Sequence, residues 1–433
     1  MQIGLGLSIT SQLRFGTALY AVNSFDPDFV LDFKNSYYRK GGTDSTLSGS
    51  VTHARASSAT MTNSSGILVT VGNNVARTGH HVYNGSAWVN EGILHESEAR
   101  TNLLPISTTL HQWSKLNVNT SSSTVTSPSG NQDAVLVKPT AGTHSFTFLW
   151  YTAQYNTGVI TSISVFAKAS GKDFMTMLNS SGSTNYASFN LSTGAVSNVT
   201  AGYTANMEDF GNGWYRCSVV TPTGFNERAI FAVADANNSA TSTANGEDGI
   251  LLYGPQLEAG STPSSYIPTS GSTATRAAET LTVPAANLPY SSTNMSIQMS
   301  GKITYADDGS SDRFIQWGNQ GGEEIRLNLE YGGAQTGSPQ FIQRAGGVID
   351  ILLDYNAYSP NINVPFNIAS RHGSTFINGA TDGTALTANT TPTALPNLSS
   401  ANLSLGFDFM GTIGKFRVWD EDLTDAGIEE AST

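Results

Sequence analysis

The chain has 433 residues, only 12% of them charged, and its 21 basic against 33 acidic side chains leave a formal net charge of −12. That length exceeds what one small core organises, so two or three domains are expected. No stretch gathers Lys and Arg, which removes the electrostatic basis for holding a phosphate backbone.

Forty-three glycines and abundant Ser, Thr and Asn make a composition poor in helix formers and rich in turn formers. Hydrophobic residues still reach 39% and fall in strand-length clusters, so the chain reads as all-β rather than disordered. The single cysteine, Cys217, excludes an internal disulfide framework and a cysteine metal cluster. It alternates within Tyr215-Arg216-Cys217-Ser218-Val219 as a small buried hydrophobe does in a strand. This cysteine usage is compatible with a reducing cytoplasm. The first ten residues lack a charged n-region and a cleavage site, and no run approaches the ~18 apolar residues of a membrane helix. A soluble protein is expected, with neither membrane nor nucleic acid as a partner.

In chain order, residues 1–25 are glycine-spaced and apolar. They read either as a docking segment that adds a strand to another protein or as a disordered tail. Residues 26–104 form a strand-rich N-terminal attachment region with runs at Phe29–Phe33, Ser36–Arg39, Gly66–Val71 and Val82–Val89. Asn84-Gly85 between apolar flanks is the strongest hairpin signal in it.

Residues 105–270 carry eight strand-like runs separated by turn signals: 133–138, 143–148, 160–168, 174–178, 186–191, 213–220, 229–233 and 249–253. Eight is the jelly-roll number, so an antiparallel β-sandwich is expected. Gly254-Pro255 reads as the end of its last strand, because Pro cannot donate to a ladder. Pro263 and Pro268 then stiffen an exit arm, and residues 271–280 read as a linker. Residues 281–433 alternate again, at 295–303, 313–317, 324–329, 365–370, 374–379, 402–406 and 411–419, and form a second sandwich. Leu423–Glu430 is its one helical stretch, with N-cap chemistry from Thr424 and Asp425.

Catalysis would have to come from the carboxylates. Glycoside hydrolysis needs an acid and a second carboxylate at a fixed separation. Glu323 and Glu324 are adjacent and so face opposite sides of a strand, with Glu330 nearby, while Glu96 and Glu98 share a face. No pair of the seven histidines (His53, His80, His81, His95, His111, His144, His372) has helical metal-ligand spacing. Asp307, Asp308 and Asp312 crowd one loop beside Gly309 and are the candidate ligands for a structural calcium. No other cofactor is indicated. Trp150, Tyr151 and Tyr155 cluster where a strand gives way to a loop and are the candidate glycan-binding aromatics. Trp214 and Trp419 sit inside strand-like runs and read as core.

Three sets of segments carry a resemblance. Arg55-Ala56-Ser57-Ser58-Ala59-Thr60, Gly92-Ile93-Leu94-His95-Glu96 and Arg100-Thr101-Asn102-Leu103-Leu104 resemble a block of tailed-bacteriophage fibre and adhesin-like proteins, with His95 where that block has an apolar residue. Gly211-Asn212-Gly213-Trp214-Tyr215-Arg216-Cys217, with Gly254-Pro255-Gln256-Leu257-Glu258 and Ser265-Tyr266-Ile267-Pro268-Thr269, resembles the carbohydrate-binding-module-like jelly roll of the same proteins. Asn367-Ile368-Ala369, Ile377-Asn378-Gly379, Leu403-Ser404-Leu405-Gly406 and Gly411–Trp419 are similar to the concanavalin A-like or laminin-G-like lectin fold.

The resemblance implies a non-enzymatic virion protein, a fibre, spike or decoration subunit assembled in the host cytoplasm. Its N-terminal region would join other capsid or tail proteins, and its lectin-like domains would meet host-surface polysaccharide. By analogy it would form a homo-oligomer, a trimer first. A virion-associated glycan depolymerase and a structural decoration without glycan binding are the alternatives.

Overall fold

The computed structural model describes residues 20–152, 159–178, 185–222, 228–236, 239–309, 312–330, 335–356 and 358–433. Their regular secondary structure is almost entirely antiparallel strand. The chain divides into two compact units. One takes the described residues up to Ala54, Glu91–Ser97 and Glu279–Thr433; the other takes Arg55–Asn90 and Glu98–Ala278. Residues 26–104 are therefore shared between the two units and do not form a region of their own. Strand pairing is the reason: Phe29–Asp32 pairs with Met410–Trp419, and Thr52–Ala54 pairs with Thr280–Val283. The Ala59–Thr62 and Leu68–Val71 hairpin belongs to the other unit.

The unit containing residues 98–278 is a jelly roll. Eight strands form its centre: Val135–Pro139, Phe148–Thr152, Thr161–Ser170, Phe174–Leu178, Asn185–Asn190, Tyr215–Thr221, Arg228–Ala234 and Gly249–Ala259. Counted in that order, one sheet runs first, eighth, third, sixth, and the facing sheet runs second, seventh, fourth, fifth. Shorter strands extend each sheet to six. Every second residue points inward, so Val135, Val137, Leu149, Ile163, Val165, Met175, Met177, Phe189, Cys217, Val219, Phe231 and Val233 fill one core. Trp214 is buried, as its strand context predicts.

Gly254-Pro255 does not end the last strand, which continues to Ala259. The ladder to Thr161–Ser170 shifts register between the pairs Phe166↔Tyr253 and Ser164↔Gln256. Gly254 sits in the shift at φ +57°, a left-handed conformation that Gly takes without a Cβ penalty. A bulge holds the extra residue, and Pro255 needs no ladder donor there.

The following arm packs back on this strand. Glu258, fully buried, accepts from the Ser264 backbone N–H at 2.8 Å, the Ser264 hydroxyl at 2.6 Å and the Gln256 amide at 2.8 Å. Gln256 Oε1 accepts from Ile267 N at 2.6 Å. Asn102, also fully buried, donates to the carbonyls of Pro255 and Ile267 and accepts from the backbone of Leu104 and Leu257. Residues 271–280 are not a bare linker, since Ala274–Arg276 pairs with Arg100–Asn102.

The other unit is also a sandwich. Its seven-stranded sheet runs Val348–Leu353, Pro339–Ala345, Glu324–Leu329, Arg313–Gly318, Leu403–Phe407, Thr280–Val283, Thr52–Ala54. The second sheet centres on Asn294–Tyr305, paired on one side with Asn361–Gly373 and on the other with Met410–Trp419. The two sheets meet through Phe314 and Phe366, ring centroids 4.5 Å apart.

The helix is Thr424–Ala431, and its N-cap position falls on Leu423, with no side-chain cap bond. Asp425 instead accepts from the Asn378 amide at 2.7 Å, and Asp422 accepts from Thr424 N at 2.9 Å. Ile428 packs with the fully buried Trp419 and with Val22. The described end of the N-terminal segment is fixed in this unit, with Trp419 Nε1 donating to the Phe25 carbonyl at 3.1 Å. The first nineteen residues lie outside the described ones.

Candidate glycan-binding face

Trp150 and Tyr151 occupy adjacent positions of the strand Phe148–Thr152 and so point to opposite faces. Tyr151 goes with Leu149 to the core side, its ring 5.5 Å from that of the buried Trp113. Trp150 goes outward. Its ring meets Phe148 edge-on at 5.4 Å, and Phe148 meets Phe146 edge-on at 6.3 Å. Three aromatic rings at every second residue thus line the outward side of the sheet, with Phe148 buried between the part-exposed Trp150 and the exposed Phe146. Leu178, Ile230, Ala232 and Ala240 support them from below. Tyr155 lies outside the described residues.

The register shows what surrounds Trp150. It pairs with Ser114 on one side and Ile230 on the other, and Thr152 pairs with Arg228. Directly paired residues share a face, so exposed Ser114, Thr152 and Arg228 flank the indole. An indole face beside hydroxyls and a guanidinium can stack on the C–H surface of a sugar while donors meet its hydroxyls. Among the candidate aromatics, alternation leaves Trp150 on this face and removes Tyr151 from it. Ser114 and Arg228 carried no sequence signal, because only the pairing register brings them beside Trp150, whereas Thr152 shares its face by alternation.

Of the carboxylates considered for hydrolysis, Glu98, Glu323, Glu324 and Glu330 are engaged by neighbouring groups. Glu323 braces two loops, accepting from Gly346 N and Asn397 N at 2.8 Å each. Glu324 is fully buried and ion-paired with Arg326 and Arg344, and Glu330 accepts from the Gln340 amide. Glu96 and Glu98 fall in different units. Glu96 donates its backbone N–H to Glu279 at 2.8 Å, and Glu98 pairs with Arg100 at 2.6 Å. Glu279 lies between His53 and His95, at 3.7 and 4.0 Å.

Among the described residues no group of three or more His, Cys, Asp or Glu side chains is placed to hold a metal ion. Asp307, of the acidic loop, accepts from Thr336 Oγ1 at 3.0 Å. Cys217 is fully buried, and burial pushes its thiol well above the ordinary range. Among the described residues no helix is long and apolar enough to cross a membrane.

No family model and no curated protein matches the chain. Among solved structures it is similar to the Ruminococcus gnavus IT-sialidase CBM40, at 14% identity over 33% of this chain and 84% of that one, with a TM-score of 0.28. It is also similar to the receptor-binding domain of a mosaic serotype C/D botulinum neurotoxin, at 14% identity over 35% of this chain and 39% of that one, TM-score 0.29. A third likeness is to mouse laminin α1 domains LG4-5, at 10% identity over 64% and 88% of the two chains, TM-score 0.25. At these scores the likenesses add nothing to what the strand order itself establishes.

Proposed function

We propose that this chain is a non-enzymatic bacteriophage virion protein, a fibre, spike or decoration subunit, that holds host-surface polysaccharide on its β-sandwiches. The observation that carries the binding half is Trp150, turned outward on the jelly-roll sheet among Ser114, Thr152 and Arg228. The part-exposed Trp150 and the exposed Phe146 leave aromatic surface on this face that a sugar ring can cover.

The virion half is supported by the phage-type segments, which hold two of the arm's joints together. Asn102 of one segment bonds to residues of the Gly254–Glu258 and Ser265–Thr269 segments. In this reading the N-terminal region joins capsid or tail proteins, the assembly is a homotrimer, and the protein resides in the virion. Glu323 holds two backbone amides, and Glu324 and Glu98 are spent in ion pairs, which favours binding over cleavage.

Two experiments test the reading. Mass spectrometry of purified virions is expected to find the chain; its absence would overturn the virion role. Incubation of the purified protein with host capsule or lipopolysaccharide is expected to give retention with unchanged chain length. Shortened chains would establish a depolymerase, and no retention would leave a decoration protein without glycan binding.

A further inference from the structure

The seven-stranded sheet carries polar side chains on its face away from the core, where Glu324, Asn328 and Ile342 are buried and Arg326 and Arg344 part-exposed. Glu324, Arg326 and Asn328 alternate along one strand and project from one face, while Ile325 and Leu327 fill the core face. On the next strand Arg344, Ile342 and Gln340 pair with them in that order. On the edge strand Ile349, Ile351 and Leu353 pair with Arg344, Ile342 and Gln340. The register therefore builds a polar row beside an apolar shelf, with Ile349 37% and Ile351 47% exposed.

The charges in this surface are layered. Glu324 is 0% exposed, and its carboxylate lies beneath two guanidiniums, 3.4 Å from Arg326 Nη1 and 3.7 Å from Arg344 Nε. Arg326 is held further by its Nε–H donating to Asn328 Oδ1 at 3.2 Å, and Asn328 donates to Gln340 Oε1 at 2.9 Å. Arg344 Nε has no hydrogen-bond partner, and among the described residues Glu324 is the one ion-pair partner of this guanidinium. The Arg344 fork is thus held on its Nε side by a buried carboxylate, with no further ion-pair partner among the described residues, beside an apolar shelf.

We propose that this face is a saccharide site of its own, taking a sugar that bears a carboxylate, as uronic acids do. The sugar carboxylate receives the two terminal nitrogens of Arg344 as a bidentate pair, the geometry for which a planar guanidinium is suited. The C–H face of the ring rests on Ile351 and Ile349. Glu324 acts as a positioning residue, since it is sealed from solvent and reaches the ligand only through the two arginines.

The test is titration of the full chain with a hyaluronan hexasaccharide, which carries glucuronate, against chitohexaose, which is neutral. The acidic oligomer is expected to bind at low salt and weaken as salt rises. Arg344→Met is expected to weaken it at least tenfold, and Arg344→Lys to recover only some of that loss, because an ammonium cannot bind bidentately. Ile351→Asp, on the exposed edge, is expected to weaken it comparably without touching the core. Melting curves establish that each variant is folded. Absence of hexasaccharide binding by the natural chain, equal binding of the two oligomers, or unchanged affinity in Arg344→Met and Ile351→Asp would overturn the proposal. Trp150→Ala is expected to leave this affinity intact. Failure here with retention of a neutral glycan through Trp150 would sink this site alone.

Discussion

The side-chain amide of Asn102 donates to the main-chain carbonyl of Ile267 at 2.9 Å, across 165 positions of sequence. Together with its bonds to Pro255, Leu104 and Leu257, this fills the hydrogen-bonding capacity of a fully buried amide and locks the arm to the last jelly-roll strand. Asn102→Leu leaves those backbone groups without partners and is expected to cost about 2–4 kcal/mol. Thr101→Ala removes an exposed hydroxyl contact to Thr275 and is expected to stay within about 0.5 kcal/mol. Urea denaturation of the two variants checks the contrast.

Glu258 anchors the start of the same arm, accepting three hydrogen bonds with no exposed surface. Glu258→Leu is expected to cost about 3 kcal/mol, because Ser264 and Gln256 lose their acceptor in a buried site. Glu258→Gln keeps one carbonyl oxygen and is expected to cost about half as much. Limited proteolysis is a second readout, with cleavage expected between Gly260 and Pro268 in the Leu variant first.

His372 makes stability depend on pH. It is fully buried, with Nε2 3.0 Å from Ser370 Oγ and Nδ1 3.3 Å from Gln343 Oε1, and burial lowers its pKa from 6.5 to about 3. The folded state holds the ring neutral while the unfolded state takes up a proton below pH 6.5. Stability is therefore intact above 6.5 and is lost progressively as pH falls toward 3, by about 4–5 kcal/mol in total. Replacing His372 with Gln is expected to flatten that region of the profile.

Asp28 has the opposite sign. Burial and the neighbouring Asp420 push its carboxyl up to about 6. Its favourable contribution is present below the unfolded value near 4 and is lost as pH rises through 6. Asp28→Asn is expected to raise the melting temperature at pH 7.5 more than at pH 4. Thermal melts across pH 4–8 measure both effects.

Cys217 is expected to be inert to thiol reagents in the native chain and to react once the chain is unfolded. Its thiol is fully buried and held protonated by that burial. Counting free thiols with and without denaturant decides the point, and native reactivity would contradict the burial.

Both sandwiches were legible in the sequence because period-two alternation is a local signal, as in Ile163-Ser164-Val165 or Ile325-Arg326-Leu327. The eight strands of the jelly roll could be counted, though not ordered. What the sequence could not carry was long-range pairing. Phe29–Asp32 reads the same whether it pairs within its own region or with Met410–Trp419. Gly254-Pro255 reads locally as a stop, and only the ladder to Thr161–Ser170 shows it to be a bulge. The aromatic cluster was visible at Trp150, but its polar neighbours Ser114 and Arg228 lie 36 and 78 positions away and are brought together by register. The Arg55–Thr60 segment marks a structural joint: Arg55 is sealed at 1% exposure and donates to the carbonyls of Ser57 and Gly72.

The most direct test of the account is calorimetric titration of host-surface polysaccharide into the natural chain and into Trp150→Ala. The natural chain is expected to bind, and removal of the indole is expected to weaken binding at least tenfold, about 1.4 kcal/mol, with melting temperatures within a few degrees of each other. Equal binding by both proteins, or no binding by the natural chain, would contradict it.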